Sequence, residues 1–265
     1  MENNKNRSIF PCALSSEYEI ELSDKSRRDE IVDMLIENFL HDETLVKSMR
    51  DMYGVKKHEG DKSSLEVRTT DYEEEEEEKE EEWSKVDKDE RILMETVVDA
   101  GTVLTAVHKP TNRISGAIVV LVHDRNLVGK NSDDRYDGKL RSRTISEFAN
   151  LMGIIDKSLD LFAAHPECRI WAEFELVGIR RADRRRGLGF DLCAAALNHV
   201  IKTMPEVDLV AGKYTSNYSK IIARKIGKIN VADFDVTRLA DREGRPVFQD
   251  TKPHNVVSLM TIKLR

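Results

Sequence analysis

Cysteine is scarce in this 265-residue chain, which has only Cys12, Cys168 and Cys193. No two of them form a C-x-x-C pair, and their spacing fits neither a disulfide framework nor a zinc ribbon. They are expected to be free thiols in a reducing, cytoplasmic setting. The seven histidines are equally scattered, and no metal site is expected. No apolar run approaches the ~18 residues that would suggest a membrane span. The polar residues 1–16 lack the apolar core of a secretory signal. Aromatic residues make up only 6% of the chain, so the sequence alone traces no aromatic pocket. A basic excess is missing as well, and the net charge of -7 argues against general nucleic-acid binding. That charge is concentrated. Residues 73–82 hold nine Glu and one Lys, a net -8, which leaves +1 for the remainder.

What is present suffices for one large core, with 40% hydrophobic residues. Residues 18–22 alternate as a first strand. Ile31, Val32, Leu35 and Phe39 recur at helical spacing, and residues 45–52 suit a second, short helix. Residues 102–108 and 114–122 flank a polar turn as a hairpin would. Residues 144–163 carry Ile145, Phe148, Met152, Ile155, Leu159 and Phe162 in steps of three and four, the strongest helical pattern in the chain. A strand over 170–180, a helix over 190–202, a strand over 207–213, a helix over 218–226 and two closing strands complete the order. The expectation is a single mixed α/β domain over 18–265 behind a flexible N-terminus, residues 1–17. An acidic low-complexity insertion at 57–90 interrupts it. Such dense like charge is expected to stay solvated, with helical character inside the Glu run, and to be open to a basic partner.

The most informative stretch is residues 181–189, Arg-Ala-Asp-Arg-Arg-Arg-Gly-Leu-Gly, between a strand and an Ala-rich helix. Glycines at such a junction let backbone N–H groups approach a ligand, and the helix N-terminus behind them favours an anion such as a pyrophosphate. A P-loop is excluded, because four residues between the glycines and a Lys-Ser/Thr are absent. A dinucleotide fingerprint is excluded too, since its third glycine is replaced by Leu192. The pattern Arg184-x-x-Gly187-x-Gly189 resembles the [Gln/Arg]-x-x-Gly-x-[Gly/Ala] loop of the GNAT superfamily, which binds the pyrophosphate of acyl-CoA.

Three further segments resemble the invertebrate arylalkylamine N-acyltransferase branch. Glu37-Asn38-Phe39-Leu40-His41-Asp42-Glu43-Thr44-Leu45 is similar to its Phe-Phe-x-x-Asp-Glu-Pro-Leu, with Thr44 in place of proline. Thr215-Ser216-Asn217-Tyr218-Ser219 is similar to its Ser-x-x-Tyr-Ser. Gly244-Arg245-Pro246-Val247-Phe248 and Pro253-His254 resemble its closing hairpin. The resemblance implies the GNAT fold, a mixed twisted sheet splayed in the middle with flanking helices. It also implies an acetyl-CoA-dependent transfer to a small primary amine, with no metal. The loop Arg184, Arg185, Arg186, Gly187, Leu188 and Gly189 would hold the phosphates, and the backbone of Val177, Gly178 and Ile179 the reacting carbonyl. An amine with a lysine-like pKa is neutral in only about one molecule in 2,500 at pH 7, a barrier of roughly 4.6 kcal/mol. Glu43 is the expected base that removes its proton. Ser219, or else Tyr218, would protonate the leaving thiolate, and a covalent route through Cys193 is not expected. Two alternatives stay open: a polyamine, amino acid or protein amine as acceptor, or a non-catalytic acyl-CoA-binding module whose Glu run is the working surface.

Overall fold

The computed structural model describes residues 9–10, 16–53, 70–127, 136, 138–240, 244–249 and 251–265. Its described strands are β1 (Ile9–Phe10), β2 (Tyr18–Leu22), β3 (Thr102–His108), β4 (Arg113–Asp124), β5 (Ile170–Ile179), β6 (Leu209–Tyr214), β7 (Ile229–Asp235) and β8 (Val256–Lys263). The helices are α1 (Arg28–Asn38), α2 (Thr44–Met52), α3 (Thr70–Ala100), α4 (Arg143–Ser158), α5 (Leu161–Ala164), α6 (Leu188–Thr203) and α7 (Asn217–Lys225). The strands make one sheet in the order β1-β2-β3-β4-β5-β6-β8-β7. All neighbours are antiparallel except β5 and β6.

The β-branched run of β4 occupies the middle of the sheet and is buried on both faces, as the two-residue period of a strand requires. Ala117, Val119 and Leu121 pack with α1 and α3, while Ile118 and Val120 face α6. A third apolar cluster joins Leu45 and Met49 of α2 and Leu151 and Ile155 of α4 to Leu209 and Leu259 of β6 and β8. The sheet is therefore covered on both sides, and its halves have separate helical layers.

The sheet splays between these halves. The parallel pairing of β5 with β6 covers only Trp171, Ala172 and Glu173 against Leu209, Val210 and Ala211. Both strands then run on, β5 to Ile179 and β6 to Tyr214, without pairing to each other. Of the residues singled out from the sequence, Val177, Gly178 and Ile179 lie on the stretch of β5 that parts there, and Tyr218 and Ser219 lie in α7, which follows β6.

Three expectations need correction. Of the supposed excursion at 57–90, residues 57–69 lie outside the described residues, but from Thr70 the chain is one 31-residue helix. Val86, Leu93, Met94, Val97 and Val98 follow a three-four spacing and are buried in the main core, so the second half of α3 is structural. Within residues 1–17, Ile9 and Phe10 pair with Glu21 and Ile20 of β2, so that part of the N-terminus joins the sheet. The helix expected over 144–163 breaks after Ser158. Asp160 takes an extended conformation and accepts the N–H groups of Phe162 and Ala163, which starts α5 afresh.

Candidate active site

A cavity of about 480 Å³ fills the gap between β5 and β6. Glu173, Phe174, Glu175, Leu176 and Val177 form its β5 side, and Lys213, Tyr214, Thr215 and Ser219 its opposite side. Phe39, Leu40 and Glu43 close one end, and Leu93, Met94 and Val97 of α3 stand beside Phe148, Met152 and Asp156 of α4. The sheet's own divergence thus brings together five segments far apart in sequence.

Glu43 is the N-cap of α2. Its backbone is extended, and Oε2 accepts the Val46 N–H at 2.8 Å. The side chain is buried, and Oε1 makes no hydrogen bond among the described residues, although Thr215 is close enough to favour its charged form. Burial pushes its pKa up. The N–H groups of Val46 and Leu45, Thr215 and Lys47 oppose that shift. A buried acceptor atom without a donor costs on the order of 1–3 kcal/mol. Here that atom belongs to a residue lining the cavity, where a ligand proton would satisfy it.

The other sequence-derived residues divide. Ser219 lines the cavity with its Oγ donating to the Ser216 carbonyl at 2.9 Å, while Ser216 is the cap of α7. Tyr218 points elsewhere. It is 73% exposed, sits edge-on to His254 and does not line the cavity. Val177 reaches the cavity; Gly178 instead lies against α1, where an added Cβ would meet Leu35 at 2.8 Å. Ile179 packs with the α6 cluster.

In the loop, Gly187 is the N-cap of α6 with φ 84°, a left-handed conformation that glycine adopts without strain. Arg185 is also left-handed, at φ 64°. The N–H groups of Arg186, Gly187, Leu188 and Gly189 meet no acceptor among the described residues. The side chains of Arg181, Arg184 and Arg186 are occupied. Arg184 donates to the carbonyls of Asn38 at 2.6 Å and Ile179 at 3.0 Å, and pairs with Asp42 at 2.7 Å. Arg181 grips Asp42 with both Nε and Nη2, at 3.0 and 2.7 Å. Arg186 reaches Glu17 at 3.1 Å. Among the described residues the backbone amides of 186–189 are left as free donors, as a phosphate cradle needs.

Asp42 therefore joins the loop to the turn that carries Glu43. The Arg181 hydrogen bonds, followed by Arg184, hold its carboxyl down at about 2. A depressed carboxyl stabilises the fold above its unfolded pKa, and that contribution is lost as pH falls through the folded value. Allowing for solvent screening, Asp42→Asn is expected to cost about 1–2 kcal/mol at pH 7. Urea melts of both proteins should converge between pH 4 and pH 2; a gap independent of pH would refute the ion-pair account.

Several site groups escaped the sequence. Lys213 Nζ is held between Asp156 and Glu173, both at 2.9 Å, and His123 lies 3.0 Å from the other oxygen of Glu173. These ion pairs keep the Glu173 carboxyl low despite its burial. The alternation Glu173-Phe174-Glu175 was the available signal, because charges on a strand that is otherwise buried need a polar partner or a ligand. Cys193 and Cys168 are buried thiols whose pKa values burial raises to about 12 and about 11, which makes both poor nucleophiles. Among the described residues no group of three or more His, Cys, Asp or Glu side chains is placed to hold a metal ion. No described helix is long and apolar enough to cross a membrane.

The fold has counterparts among solved structures. Arylalkylamine N-acetyltransferase 2 from Aedes aegypti superposes over 94% of this chain and 100% of its own, with a TM-score of 0.68 and 13% identity. The fold is the GNAT fold. A Drosophila melanogaster polyamine N-acetyltransferase that forms N-acetylagmatine matches 93% of this chain and 100% of its own, at TM-score 0.61 and 18% identity. An agmatine N-acetyltransferase, solved as a mutant in its apo form, matches 94% and 100% at TM-score 0.62 and 17% identity. No family model matches the chain, and neither does any curated protein sequence. At these identities the likeness fixes the architecture and leaves the acceptor open.

Proposed function

We propose that this GNAT-fold chain is an acetyl-CoA-dependent N-acetyltransferase that transfers the acyl group directly to a small primary amine, with an arylalkylamine as the leading acceptor class. The observation that carries this reading is Oε1 of Glu43, which accepts no hydrogen bond among the described residues and is buried at the edge of a cavity that opens where β5 and β6 part. Burial raises the proton affinity of this carboxylate, which suits it to accept a proton from an ammonium that must become neutral before it attacks. In this reading the free amides of residues 186–189 hold the pyrophosphate of acetyl-CoA. The β5 edge, freed from β6 beyond Glu173, offers N–H groups to the carbonyl oxygen as it gains charge. Ser219, which lines the cavity, protonates the departing thiolate; the exposed Tyr218 is the weaker choice. No acyl-enzyme forms, in keeping with the buried, weakly acidic Cys193. Two buried free thiols also suit a cytoplasmic, reducing setting.

The aromatic acceptor is supported by Phe39, Tyr136, Phe148, Phe174 and Tyr214, all of which line the cavity. A second reading, a polyamine or guanidino-amine, is favoured by the lining carboxylates Asp156, Glu173 and Glu175, which face a single lining lysine, Lys213. CoA-thiol release from acetyl-CoA, measured with tyramine, dopamine, serotonin, agmatine, spermidine and peptides, separates the two. Turnover with the aromatic amines is the expected result. Turnover confined to agmatine or spermidine would transfer the assignment to the second reading. Silence with every acceptor, despite acetyl-CoA binding, would reject both.

A further inference from the structure

Glu90 of α3 is fully buried, and its two oxygens serve different partners. Oε2 lies 3.1 Å from His41 Nε2, and Oε1 pairs with the Arg50 guanidinium. His41 stands two residues before Glu43 and Arg50 seven after it, so one carboxylate grips both sides of the turn that presents the candidate base. Trp83, two turns earlier on α3, packs its ring 5.3 Å from the Arg50 guanidinium. The residue preceding Glu90, Asp89, points about 100° away around the helix. Its Oδ2 accepts the N–H groups of Arg141 and Ser142 at 2.7 and 2.6 Å. Ser142 caps α4, the helix that brings Phe148, Met152 and Asp156 to the cavity. Glu82, seven residues before Asp89 and on the same face, accepts the Arg143 N–H at 2.8 Å.

We propose that Glu90 and Asp89 are positioning residues for acyl transfer, with α3 as the spacer that sets the Glu43 turn against the α4 wall of the acceptor cavity. This rests on the N-acetyltransferase reading above. The acidic segment then has a definite place: it lies in the first half of a helix whose inner acids hold the two walls apart at a fixed distance. The two residues have separable roles. Glu90 fixes the base, so its loss should lower kcat and spare the acceptor KM. Asp89 fixes the α4 wall, so its loss should raise the acceptor KM and spare kcat. A misplacement of about 1 Å in a reacting group suffices for a loss of order a hundredfold.

The test uses the full chain with the best amine from the acceptor screen, at saturating acetyl-CoA. Glu90→Gln is expected to lower kcat by about tenfold or more, and Glu90→Asp to recover part of that. Asp89→Ala is expected to raise the acceptor KM several-fold. Acetyl-CoA affinity, measured by titration calorimetry, should stay within twofold in all three. His41→Ala removes only the partly exposed arm of the clamp and should show the same kcat-weighted loss, so it carries the test if Glu90→Gln fails to fold. Equal losses in kcat, acceptor KM and acetyl-CoA affinity, or no loss at all, would overturn the positioning roles while leaving the enzyme reading intact. A folded wild-type protein without turnover on any amine would overturn both.

Discussion

Replacing Glu43 by glutamine is expected to lower kcat on amine acceptors by roughly 10²–10⁴-fold, the range for loss of a general base. Glutamine is the informative choice. Its amide oxygen can still take the Val46 N–H that Glu43 Oε2 takes at 2.8 Å, so α2 keeps its cap. Its amide nitrogen cannot receive a proton from the amine. Acetyl-CoA binding should be unchanged, because the loop at residues 184–189 is untouched. The pH profile supplies the second signature. The Glu43 pKa is raised above 4.5 by burial, so the acid limb of kcat/KM in the wild type should lie above the ordinary carboxylate range. That limb should disappear in the variant. The same raised pKa means that protonated Glu43 stabilises the fold below about 4.5, a contribution lost as pH rises through the folded value. A variant that kept wild-type kcat would remove Glu43 from the chemistry and reduce it to a helix cap.

The second large effect concerns stability. Lys228 is 2% exposed and stands where the splay begins. Its Nζ donates to the Ala211 carbonyl at 2.6 Å, lies 4.1 Å from the Phe174 ring centre and 5.3 Å from that of Tyr214. Ala211 is the last β6 residue paired with β5, and Phe174 is the first β5 residue beyond the pairing. The lysine therefore fills the fork of the two strands. Burial lowers its pKa to about 7, with Cys193 and Glu173 pulling weakly the other way. The sign follows from proton counts. Between pH 7 and 10.5 the unfolded chain holds a proton that the folded chain has released, so this lysine makes stability rise with pH in that window. At pH 7 and below, the folded state bears the full cost of burying the charge. Against Lys228→Met, which fills the same space without a titrating group, the wild type is expected to gain about 3 kcal/mol between pH 7 and 9.5. Using the difference cancels the other titrating groups, including the two thiols. Parallel urea melts at both pH values measure it, and a difference that stays constant would show that Lys228 keeps its proton when buried.

The geometry of the loop at residues 181–189 was legible because it is local. Glycine at a position of φ 84° and uncapped amides at a helix start follow from a few adjacent residues. Most strands and helices were legible for the same reason, since the apolar period of each is contained within it. The break at Asp160 was not seen, because Leu159 and Phe162 continue the apolar period across a capping residue.

Helix α3 shows the limit most clearly. Its apolar stripe, Val86 to Val98, is present in the sequence, but the nine Glu before it have a charge density that argues for solvation on its own terms. Only the sheet and α1, packed against that stripe, decide that the chain there is ordered. The same holds for the site. The sequence by itself determined most of the strands and helices, a glycine-bearing loop before α6 and a carboxylate at the start of α2. Tertiary structure alone decided that Oε1 of that carboxylate accepts no hydrogen bond among the described residues, that Ser219 rather than Tyr218 lines the cavity, and that Asp156, Glu173, Glu175 and Lys213 share it. The physical reason is that periodicity and capping act over a few residues. Burial, ion pairing and the shape of a cavity depend on which distant segments the sheet brings side by side, and here on where β5 and β6 separate.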